Sequence, residues 1–148
     1  MRKRIALVYI TFLLAGFTLP CCAIDNPDAP DYVADFQQRA QVFETAIQKN
    51  AKTTQDYLKS YADYEQFLDK ELNTAYKALI TKLDTAQQNK LKQSQRDWLQ
   101  YRDAEFNFIA DNWTSKKFGS SSVLSRGAYR TTIMRDRVML LLNYLKNY

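Results

Sequence analysis

The run Gln95-Arg96-Asp97-Trp98-Leu99-Gln100-Tyr101-Arg102-Asp103-Ala104-Glu105 decides the fold, because its charges fall where a helix should be apolar. With Trp98 at zero and about 100° per residue, Leu91 and Ile109 lie near +20°, Arg102 near +40° and Glu105 near −20°. An arginine and a glutamate therefore share the apolar stripe of one helix. A buried unpaired charge costs several kcal/mol, so a neighbouring helix has to answer them.

The surrounding sequence supplies such neighbours. Of three glycines and three prolines in the chain, only Gly119 and Gly127 follow Pro30, and apolar residues recur at spacings of three and four. That is an all-helical pattern. A first helix is expected over 30–49, with Val33, Phe36, Ala40, Phe43 and Ile47 on one face and Asp28 or Asp31 at its start. A second runs over 53–83, opened by a Thr53/Asp56 capping box and striped by Leu58, Tyr61, Leu68, Leu72, Ala75, Leu79 and Leu83. A break at Asp84-Thr85, with Thr85 and Gln88 as a second capping box, starts a third helix that reaches Trp113. Residues 114–122 read as an aperiodic loop. The last helix covers 123–147 and buries Leu124, Ala128, Met134, Val138, Leu141, Leu142 and Leu145, with Gly127 weakening its first turns. The expected architecture is an antiparallel bundle of about four helices built on a long hairpin of helices two and three.

In such a hairpin Glu65 stands level with Arg102, within the apolar stripe of helix two. Asp69 then flanks Trp98, and Glu105 reaches the level of Ala62. Glu65, Asp69, Arg102 and Glu105 are read as a structural ionic network that fixes register, which adds little net stability but penalises mispairing. The rival reading makes Glu65 and Glu105 an acid/base carboxylate pair, as in glycosidases. No glycine-rich cleft or second domain accompanies them. A di-metal carboxylate site is excluded by the absence of histidine, and no metal or other cofactor is expected.

The amino terminus gives an address. Arg2, Lys3 and Arg4 precede the apolar run Ile5 to Leu19 and the small-residue stretch Cys21-Cys22-Ala23, the layout of a secretory signal peptide cleaved after Ala23. Acylation at Cys21 or Cys22 is the weaker alternative, because Pro20 or Cys21 would stand where a small residue is usual. Cleavage divides the chain into a signal peptide, 1–23, and a single helical domain, 24–148. It removes both cysteines and three positive charges, so the formal charge falls from +5 to +2. A near-neutral domain lacks the basic face expected for nucleic acid. No later stretch is long and apolar enough to span a membrane. The expected location is periplasmic or secreted.

Two surface features remain. Lys116, Lys117, Phe118, Gly119, Ser120 and Ser121 place two lysines and an aromatic in the loop, a candidate binding surface on a rigid scaffold. Tyr57, Tyr61, Tyr64, Tyr76, Tyr101, Phe106, Phe108 and Trp113 admit a binding patch, although their helical spacing suits ordinary core and rim residues. Asn112-Trp113-Thr114 has the form of a glycosylation sequon, which matters only in a eukaryotic source.

The spacing of Asp69, Leu72, Asn73, Tyr76 and Leu79, followed by Gln95, Arg96, Trp98, Tyr101, Arg102, Asp103, Ala104 and Glu105, resembles the lysozyme-inhibitor LprI-like N-terminal domain, a small exported helical domain. The likeness covers roughly 54–145, with Gly119-Ser120 at the family's glycine-serine loop and Arg135 near its later arginine. Phe106 and Tyr129 stand where the family usually has cysteines, which implies an aromatic contact in place of a disulfide. A second domain that accompanies the family's namesake inhibitor is missing. The resemblance implies a non-enzymatic exported protein that binds a protein partner, a lysozyme-like muramidase. The alternatives are an effector or immunity protein recognising another secreted protein, or an envelope hydrolase using Glu65 or Glu105.

Overall fold

The computed structural model describes residues 30–148, so the expected export signal and Asp28 lie outside the described residues. Five α-helices follow in order: α1 Tyr32–Thr45, α2 Thr54–Ile80, α3 Thr85–Asn112, α4 Ser115–Phe118 and α5 Ser121–Leu145. The fold is all-α, as the periodicity predicts. Among the described residues, no helix is long and apolar enough to cross a membrane.

Local chemistry accounts for the helix ends. Asp31 accepts a bond from the Ala34 amide and opens α1, which continues into a π-helical turn over Ala46–Asn50. The Thr53/Asp56 capping box forms as expected, and the two backbone amides donating to the Asp56 carboxylate hold it below its usual range. The second box is shifted by one residue. Asp84, not Thr85, is the cap, with Gln87 reaching back to its amide. Gln88 instead donates to the carbonyls of Ile80 and Leu83, closing the end of α2.

The 114–122 segment is more ordered than an aperiodic loop. Ser115–Phe118 forms a single helical turn, and Gly119 reverses the chain at φ 59°, a conformation that favours glycine. Ser121 and Ser122 donate to the carbonyls of Phe118 and Gly119 and pin the reversal.

The packing differs from the expected hairpin in one respect. Helices α2 and α3 do run antiparallel and side by side, but their backbones barely approach each other, and α2 packs most extensively on α5. Matching levels, Tyr61 with Gly127 and Leu79 with Tyr144, show that α2 and α5 run parallel. Gly127 makes the approach possible: a Cβ there would lie 2.2 Å from Tyr61 Cγ. Helix α1 packs on α2 through a stack of Phe36, Phe43, Tyr64 and Phe67, with the Arg39–Glu71 pair clasping the outer edge, and it also touches α5. Phe36, Leu68, Leu72, Leu79, Val138 and Leu141 form the core. Leu58, placed in the stripe of α2, is 45% exposed, and Ala128 is exposed as well.

Candidate functional site: the α2–α3 groove and its α5 floor

Because α2 and α3 stand apart, the seam between them is an open groove. At one end Asp69, Leu72, Asn73, Tyr76, Lys92, Gln95, Arg96 and Leu99 line a cavity of about 310 Å³. At the other, Leu58, Tyr61, Ala62 and Glu65 of α2, Ala110 of α3, and Val123, Arg126, Gly127 and Arg130 of α5 line one of about 360 Å³. The charges read as a buried network therefore sit beside solvent.

The expected Glu65–Arg102 pair does not form. Glu65 accepts a 2.7 Å hydrogen bond from Arg130 Nη2 of α5, while Arg102 bonds its neighbour Asp103 at 2.9 and 2.7 Å. Asp69 is held by Asn73, whose side-chain amide donates to both its carbonyl and its carboxylate. Glu105 is half-buried and joins no ion pair among the described residues. The reason is geometric. Residue levels on α2 and α3 match, but α5 packs on both and brings Arg130 to Glu65 and Arg137 to the polar side chains of Gln95 and Ser94.

Those arginines build a ladder along α3 and α5. The Arg137 guanidinium lies 5.7 Å from the Trp98 ring centre, and Arg102 lies 5.6 Å from Trp98 and 5.8 Å from Phe106. Arg130 then lies 4.3 Å from Phe106 and ends the ladder on Glu65. Each such contact is worth about 0.5–1 kcal/mol at an exposed site and more when desolvated. Arg102 is thus neutralised by ring faces and Asp103 together. Arg137 is only 8% exposed, and its guanidinium donates twice to Gln95 Oε1 and once to Ser94. Burial lowers its pKa.

The expected motif residues thus divide by role. Gln95 and Trp98 grip α5 through Arg137, whereas Arg102 is held by side chains of its own helix. Asn73, Arg96 and Gln95 line the groove, Tyr101 is 53% exposed, and Asp103 serves Arg102. It is Arg137 that engages the motif; Arg135 lies 3.4 Å from Glu44 of α1, whose carboxylate also accepts from the Tyr64 hydroxyl. Burial and that bond raise the Tyr64 pKa. Sequence reading missed Arg130 and Arg137, although both fall beside the apolar stripe of the last helix and carry charge into it.

The implied Phe106–Tyr129 contact is replaced by two others. Phe106 sits under Arg130, and Tyr129 meets Trp113 edge-on at 4.8 Å, with Phe108 a further 5.9 Å from Trp113. Phe108 and Tyr129 are largely exposed, as is Phe118. Lys116, Lys117, Gly119, Ser120 and Ser121 are exposed too. Glu65 is engaged by Arg130, and its raised pKa follows from burial, opposed by that arginine.

The class is that of a small helical bundle with exposed aromatic, basic and groove-lining side chains set on its helices. The chain belongs to the lysozyme inhibitor LprI family, whose family model matches residues 45–141. The match spans α2 to most of α5 and so contains the ladder and both groove cavities. No curated protein and no solved structure matches the chain.

Proposed function

We propose that this chain is an exported, non-enzymatic binding protein of the bacterial envelope that inhibits a lysozyme-like muramidase. The family match over 45–141 carries the reading. Export rests on the signal-like pattern of residues 1–23. The contact surface is the end of the bundle that presents Lys116, Lys117 and Phe118 beside the Phe108–Trp113–Tyr129 cluster, because aromatic side chains are enriched in interface cores. Long-range steering contributes little, since a domain of charge +2 is not attracted to a basic enzyme.

The test is a cell-wall lysis assay with purified protein and a panel of muramidases. Wild-type protein at micromolar excess should slow lysis, and Phe118→Ala should weaken inhibition by tenfold or more while leaving the helical content intact. Unchanged lysis across the panel would refute inhibition. Inhibition that survives Phe118→Ala and Lys117→Glu would move the contact surface elsewhere.

A further inference from the structure

We infer that the 360 Å³ cavity lined by Leu58, Arg126 and Arg130 is a binding site for a carboxylate carried on a short apolar body. Its size is within the range of small-ligand sites. Its walls supply the apolar contact: Leu58, Ala62, Ala110 and Val123 surround the opening, and the Tyr61 ring packed on Gly127 closes one side.

The charges supply the preference. Arg126 and Arg130 stand one turn apart on α5 and both line the cavity. Arg130 is committed to Glu65 through Nη2, yet its Nε is buried and without a hydrogen-bond partner. Arg126 makes no ion pair or hydrogen bond among the described residues. With Glu65 matched by Arg130, the cavity keeps the full positive charge of Arg126. A guanidinium holds a carboxylate through paired, charge-assisted bonds, and a partly enclosed site strengthens them. A cation would meet Arg126 instead and is disfavoured. This site stands independently of muramidase inhibition, since it depends only on the α2, α3 and α5 side chains.

The carboxylate has two possible sources, the free end of a short peptide or an acidic side chain on a protein surface, and two probes separate them. N-acetylalanine mimics the first, and N-acetylglutamate α-amide the second. Each is titrated into isotope-labelled full-length protein while the backbone amide of Gly127, one of three glycines in the chain, is followed by NMR. At least one probe should shift Gly127 saturably in the millimolar range, as suits ligands of about ten heavy atoms, and leave Gly119 unmoved. The uncharged N-acetylalaninamide should not.

Arg126→Ala should weaken binding about tenfold. Glu65→Gln should tighten it severalfold, because Arg130 is then released to the incoming anion. Ala62→Phe, which fills the cavity from an exposed wall, should abolish it. Should Glu65→Gln fail to fold, Arg126→Ala and Ala62→Phe still decide. Binding to neither acid, equal binding of the uncharged amide, or indifference to Arg126→Ala overturns the assignment.

Discussion

Replacing Gly127 by alanine tests the parallel α2–α5 contact. On helix propensity alone the change should stabilise α5 by about 1 kcal/mol. The structure reverses the sign, because the new Cβ would lie 2.2, 2.3 and 2.6 Å from three atoms of the Tyr61 ring, where 3.0 Å is already closer than real Cβ atoms come. The ring is held between two long helices, so the clash must be relieved by shifting Tyr61 or parting α2 from α5, at about 3 kcal/mol. The net loss is about 2 kcal/mol. With roughly 120 ordered residues and about 2.1 cal/mol/K of unfolding entropy each, that lowers Tm by about 8 °C. The same substitution in a Tyr61→Ala background meets no ring, and there it should raise Tm by about 4 °C. Thermal unfolding of the four proteins by circular dichroism reads both signs. A stabilising Gly127→Ala in the Tyr61 background, or equal effects in the two backgrounds, would refute the packing argument.

Double-mutant cycles from urea unfolding should give about 1 kcal/mol of coupling between Glu65 and Arg130 and none between Glu65 and Arg102, since only the first pair shares a hydrogen bond. Arg137→Ala should cost about 3 kcal/mol in the same measurement, through the loss of three charge-assisted bonds and the Trp98 contact, and a cost below about 1 kcal/mol would remove the clasp from the account. Glu65 carries a pH signature of definite sign. Its folded pKa is raised above 4.5 by burial, so its contribution to stability is complete below that pH and lost as pH rises through the folded value. Wild type should therefore lose ground against Glu65→Gln in the window just above pH 4.5; a gain there contradicts the burial.

The helices were legible because their signals are local. Thr53 and Asp56 stand three apart before an apolar stripe and form the expected box. The second start slipped by one residue because Asp84/Gln87 and Thr85/Gln88 have equal spacing, and what separates them is tertiary: Gln88 is needed by the carbonyls ending α2. The Glu65–Arg102 pairing failed for a related reason. Level and face angle were counted for two helices, but whether they touch depends on a third, and α5 reaches Glu65 first through Arg130. Gly127 shows the same limit. Propensity marks it as a weak point in α5, whereas its use is to admit Tyr61.

The motif that reveals the family is largely consumed in holding the fold. Gln95 has spent its carbonyl on Arg137, Trp98 lies between two guanidinia, and Arg102 is satisfied by rings and Asp103. Groups engaged in this way have little left to offer a partner without first breaking the α3–α5 clasp, which would cost more than a new surface contact returns. Arg126 and Phe118 differ: one is a cation with no counter-charge beside a cavity, the other an exposed ring on a pinned turn. Neither supports the core. Substitutions that separate recognition from stability therefore belong at Phe118 and Arg126, whereas changes at Gln95 or Trp98 should reduce binding only in proportion to the folded protein they remove.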